Sequence, residues 1–177
     1  MRKMKTITVG VTASALAMGL AVATTGAKSA DTPTTFELTG GSLTVDVPAS
    51  ADLTPTHQAL GLTSVAGSLG AVKVTDDRGA LAGSWTTTGS STAFTNGTYS
   101  VDAASVSYTS GDITTTGTVT AVPGTGDGGS IGTARAVVTA SAITGVNTAT
   151  WTPTITIALG TDQVSGQYSG TITHSVA

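Results

Sequence analysis

Apolar and polar residues alternate one by one through much of this chain, and the cleanest case is its last ten residues, Tyr168 to Ala177. Tyr168, Ile172, His174 and Val176 share one face at period two, and Ser169, Thr171, Thr173 and Ser175 share the other, which is the pattern of a half-buried antiparallel strand. The strongest strand pattern runs from Thr148 to Leu159, with Trp151, Pro153, Ile155, Ile157 and Leu159 facing one way and threonines the other. Pro153 has no backbone donor, so it belongs at an edge or at a strand start.

The remaining elements follow by the same test. Phe36-Glu37-Leu38 and Leu43 to Val47, joined by Thr39-Gly40-Gly41-Ser42, read as an opening hairpin or a bent strand. Pro48 to Ser68 alternates poorly and reads as a long connection between sheets. Leu69 to Thr75 and Leu81 to Thr88 read as a second hairpin, turned by Thr75-Asp76-Asp77-Arg78-Gly79 and carrying Trp85. Short strands around Phe94, from Val101 to Tyr108, from Ile113 to Val122 and from Ala134 to Ala142 complete the set. Pro123 to Gly129 is the clearest loop, being dense in turn formers. About eight to ten short strands with no helical period predict an all-β fold, an antiparallel β-sandwich with Greek-key-like connections.

The N-terminus breaks this pattern. Arg2, Lys3 and Lys5 precede an apolar stretch from Ile7 to Val22, followed by small residues, as in a secretory signal peptide. The stretch is shorter than the roughly 20 apolar residues of a membrane helix and is interrupted by threonine. Cleavage after Ala23 competes with cleavage after Ala30; the latter gives a leader of residues 1–30 and one β-domain over 31–177. The expected location is therefore extracellular.

Composition narrows the partners. Of seven basic residues, Arg2, Lys3, Lys5 and Lys28 leave with the leader, so Lys73, Arg78 and Arg135 face ten acidic residues. Three scattered cations cannot neutralise a phosphate backbone, which argues against nucleic acid, and anionic lipid is disfavoured for the same reason. The chain has no cysteine, so neither disulfides nor a thioether-linked lipid is available. No C-terminal apolar stretch is present, and retention on a cell is expected to be non-covalent. Threonine is the commonest residue, as befits the solvent face of strands.

Catalytic chemistry is poorly supplied. The only histidines are His57 and His174, and no Gly-x-Ser-x-Gly elbow accompanies them. The aspartates fall mostly in turns, where a carboxylate bonds its own backbone. Gly126-Asp127-Gly128-Gly129 offers calcium a single carboxylate. His174 reads as a core-facing strand residue bonded to backbone rather than as a metal or catalytic group. Trp151 shares a face with Ile155 and Ile157 and reads as core, whereas Trp85, among serine and threonines, is open to either a core or a sugar-stacking role.

Three segments carry a family resemblance: Gly70-Ala71-Val72-Lys73-Val74-Thr75-Asp76-Asp77-Arg78-Gly79, then Gly83-Ser84-Trp85-Thr86-Thr87, then Gln167 to Val176. Their order resembles the WxL domain of Gram-positive surface proteins, in its divergent actinobacterial form. Trp85-Thr86-Thr87 stands at the first Trp-x-Leu motif without the leucine, and His174-Ser175-Val176 at the second without the tryptophan. Trp85, Tyr168 and Gly170 carry over unchanged. The resemblance implies a β-stranded, non-enzymatic module needing no cofactor, bound non-covalently to peptidoglycan or another wall polymer, or to another surface protein. It implies Trp85, Tyr168 and His174 as the wall or partner contacts, with Trp85 exposed near the terminal strand. An alternative role is a structural or adhesive subunit that assembles through its strand edges.

Overall fold

The computed structural model describes residues 32–53 and 61–177. The leader and both its cleavage positions lie outside the described residues, as does His57. Leu38–Ala177 forms one compact unit, and it is all-β and antiparallel in a sandwich-like arrangement, as the alternation implies.

Ten strands occur among its described residues: β1 Leu43–Asp46, β2 Ser64–Ser68, β3 Val72–Ser91, β4 Phe94–Thr95, β5 Ser100–Val101, β6 Val106–Thr109, β7 Ile113–Pro123, β8 Arg135–Trp151, β9 Thr154–Ala158 and β10 Ile172–Val176. The large sheet has the order β1-β3-β8-β7, with β10 also paired to β3; the second sheet is β2-β9-β6, and β4-β5 is a small ribbon. β1 pairs with Lys73–Asp76 at one end of β3, and β10 pairs with Thr87–Ser91 at the other.

Several expectations are corrected here: Pro48 to Ser68 is not wholly a connection, since β2 lies within it, and Val101 to Tyr108 is not one strand, since a 3-10 turn at Ala103–Ser105 separates β5 from β6. Residues 36–38 carry no strand, and β1 pairs with β3 rather than in an opening hairpin. Thr75 to Gly79 is not a hairpin turn, because both flanking segments belong to β3 and both pair with β8. The segment is a bulged corner. Asp76 accepts hydrogen bonds from the Arg78 backbone N–H (3.1 Å), from Nε (2.9 Å) and from Nη2 (3.0 Å). The same Nη2 donates to the Ser84 carbonyl (3.0 Å), so one guanidinium spans the irregular stretch. Asp-Asp-Arg-Gly carries the composition of a turn, and here that composition bends a continuous strand.

All three long strands deform at this level. Register shifts fall between Asp76 and Trp85 on β3 and between Thr116 and Thr120 on β7. Gly79 has φ 66°, Gly117 φ 79° and Gly145 φ 74°; Ala82 (58°) and Ala142 (54°) take up the same left-handed conformation without being glycine. Leu81, 85 % exposed, lies on the outside of the bend.

The bend folds the β3-β8 ribbon onto itself. Val72, paired with Trp151, and Gly89, paired with His174, would stand about 55 Å apart on a straight strand. Yet Trp151 and His174 meet the same tyrosine hydroxyl, as described below. The inner face therefore closes on a core of Val72, Val74, Trp85, Val138, Ala140, Ile143, Ala149 and Trp151, to which β10 adds Val176. A bulge beside Thr87 turns both Val137 and Val138 inward. Val137 enters a second core with Val101, Val106, Tyr108, Ile131, Ile155 and Ile157, beneath the smaller sheet. Thr152-Pro153 is where the chain leaves one sheet for the other, so the Thr148 to Leu159 pattern is two strands; Pro153 precedes β9, the strand-start position its missing donor favours.

The left-handed alanines make the corner testable. Ala82→Gly and Ala142→Gly should each raise unfolding stability by up to about 1 kcal/mol, because the relief of the left-handed penalty exceeds the extra chain entropy of glycine. Urea midpoints at or below that of the wild type for both variants would count against this strain.

Candidate functional site

The three residues singled out by sequence do not converge. Trp85 lies on β3 with 2 % of its surface exposed, inside the first core, so the expectation of an exposed Trp85 is overturned. The physical reason is register: the shifts between Asp76 and Trp85 move the inward phase from Val72, Val74 and Asp76 to Trp85 and Thr87, so all five face inward. It does lie near the terminal strand, since Thr86 and Ala177 exchange backbone hydrogen bonds (2.8 and 3.1 Å). Its indole Nε1 has no hydrogen-bond partner.

His174 is half-buried on β10, with its Nε2 3.1 Å from the Tyr108 hydroxyl. The Trp151 indole N–H donates to that hydroxyl at 2.8 Å. Tyr108 Oη, having accepted from Trp151, shares a second hydrogen bond with His174 Nε2, in which the imidazole tautomer sets the donor. Nδ1 is buried without a partner, and the two rings meet edge to face at 5.6 Å. The expected backbone partner of His174 is thus corrected to a side chain. Burial lowers the His174 pKa and raises that of Tyr108, so the neutral pair is the stable form.

This junction joins β6, β8 and β10. It borders a cleft of about 280 Å³ lined by Val47, Pro48, Leu69, Val72, Phe94 and His174 among others. Among the described residues no serine or threonine hydroxyl hydrogen-bonds to the imidazole, and no group of three metal-ligating side chains occurs. Asp127, considered for calcium, accepts from the Ser110 N–H at 2.6 Å, while Gly128 N–H donates to the Tyr108 carbonyl; its loop therefore finishes the edge of β6.

Tyr168 lies elsewhere. It is half-exposed, its hydroxyl donates to the Val164 carbonyl (3.1 Å), and its ring packs on the rim of the second core. It lines a trough of about 1250 Å³ together with Phe94, Leu159, Gln163, Gln167 and Ser165. The amide oxygen of Gln163 is buried there without a partner. Gly170 is required beside it, because a Cβ would come within 2.8 to 2.9 Å of three Phe94 ring atoms. Phe94 and Gln163 were not singled out by sequence. Phe94 was legible only as a strand residue, and Gln163 stood in an unremarkable turn.

No known protein family matches this chain, and no curated protein or solved structure is similar to it.

The two buried titratable centres predict two acid transitions. The folded pKa of His174 is depressed below 6.5, so the unfolded chain binds the extra proton first; its contribution is complete above about pH 6.5 and is lost as pH falls from there toward the folded value. Asp76 is held below 3.8, chiefly by the Arg78 side-chain hydrogen bond; the Asn147 amide, its register partner on β8, adds a smaller lowering although no well-formed bond joins them. Its contribution is present above about pH 3.8 and disappears as pH falls through the folded value. In urea titrations across pH, His174→Gln should abolish the first loss alone and Asp76→Asn the second alone. Tyr108→Phe, which strands both ring nitrogens, should cost about 1–3 kcal/mol at neutral pH.

Proposed function

We propose that this chain is a secreted, non-enzymatic surface module that associates non-covalently with a cell-wall polymer such as peptidoglycan, or with a wall-bound partner protein. The observation that carries the reading is the trough beside Tyr168, together with the resemblance of the surrounding segment to the WxL domain. A half-exposed aromatic ring and a second ring held against Gly170 suit a sugar, because rings cover the apolar face of a pyranose. Trp85 is assigned to the core, where it holds the second half of β3 in place. His174 is assigned to anchoring the terminal strand.

Charge supports a neutral ligand. Among the described cations Arg78 is committed to Asp76, and Lys73 stands opposite Asp46 in the β1-β3 register, which leaves no basic stripe for nucleic acid. Among the described residues no helix is long and apolar enough to cross a membrane.

Sedimentation of the protein with purified cell walls tests the reading. Tyr168→Ala should keep its fold and lose roughly tenfold in retention, about the value of one aromatic contact. Trp85→Ala should instead be destabilised by about 3–5 kcal/mol, and the conservative Trp85→Phe should bind walls as wild type does. Equal retention of Tyr168→Ala and wild type would exclude the trough, and no retention of either would exclude wall binding.

A further inference from the structure

We propose that residues 35–39 of one copy add as a strand to the outer edge of β7 in a second copy, so that the protein assembles head to tail. Thr35-Phe36-Glu37-Leu38-Thr39 alternates as a strand does, yet residues 32–42 form no strand, and Phe36 and Leu38 are each 86 % exposed. Two large apolar side chains at period two, free of any sheet, are the form of a donor strand.

β7 supplies the matching acceptor. It is an 11-residue strand, Ile113–Pro123, paired with β8 on one side and, among the described residues, with no strand on the other. It carries no charged residue, and lysines or inward-pointing charges are what normally keep a further strand from such an edge; its register is regular over Ile113–Thr116 and Thr120–Pro123, on either side of the bulged stretch. The other edges offer less. β6 is covered by the Gly128–Ile131 segment, and β1, β2 and β10 have four, five and five residues.

The side chains agree with the backbone. Ile113, Val119 and Ala121 pack on the first core from β7 while remaining partly exposed, so its inner face is an unfinished rim. A strand placed beside β7 continues that face, and Phe36 and Leu38, two residues apart like Val119 and Ala121, extend the core. Because donor and acceptor are different surfaces, the contact is heterologous and propagates rather than stopping at a dimer. This assembly does not depend on the trough, and the two are tested separately.

Analytical ultracentrifugation of the purified protein over a concentration series decides the matter. The weight-average mass of wild type should rise with concentration beyond the monomer. Phe36→Asp/Leu38→Asp removes the donor, and Thr118→Glu/Thr120→Glu charges the edge; all four side chains are exposed, so the fold is retained. Each double variant alone should lose roughly a hundredfold in association. Mixed, the two should form a one-to-one complex, because one keeps an intact edge and the other an intact donor. A monomeric wild type at every concentration, undiminished association of either variant, or no complex on mixing would overturn the proposal.

Discussion

Strands of 20 and 17 residues paired side by side present two long faces, and neither can be buried by a flat ribbon. The rest of the structure depends on the corner that turns this ribbon back. Register shifts on β3 and β7, left-handed residues at Gly79, Ala82, Gly117, Ala142 and Gly145, and the Asp76–Arg78–Ser84 bridge act at one level of the sheet. Bulges raise local twist and let a strand bend while most of its ladder persists. Once bent, the inner face meets itself, and the chain acquires a core without a disulfide. Asp76 is buried at this point, and its ionised carboxylate is satisfied by a bidentate arginine, the geometry that best compensates a desolvated charge.

The Tyr108 hydroxyl closes what the corner begins. It joins Trp151 from one end of the ribbon to His174 from the other, with Tyr108 itself arriving from the smaller sheet. A hydroxyl is suited to this position because it can accept from the indole and still form a second bond to the imidazole as donor or acceptor. The terminal strand is thereby tied to the interior through a neutral histidine, and its stability becomes sensitive to protonation in a way that Val176 and Ile172 alone would not confer.

Function then falls to surfaces left outside this closure. The trough beside Tyr168 and the open edge of β7 are separate features with different chemistry: one offers rings and hydroxyls, the other unpaired backbone. A wall-associated module that also links to its own copies would form a layer held at many points, and multivalent attachment makes weak individual contacts sufficient.

Sequence alone determined the all-β class, the inward set Val106, Tyr108, Trp151, Ile155 and Ile157, the two faces of the terminal strand and the loop at Pro123–Gly129, because period-two alternation and turn composition are local properties. Only the tertiary structure decided that Asp76-Asp77-Arg78-Gly79 bends one strand rather than ending it, since bulge and hairpin share a composition and differ in which strand they pair with. It also decided that Trp85 is core. Polar neighbours in sequence suggested a surface residue, but a strand's neighbours point to the opposite face, and the bulges reset the phase that counting from Val72 would give. Tyr168 and His174 alternate in step in the sequence, but β10 begins only at Ile172, so Tyr168 lies outside that strand and the two serve different sites.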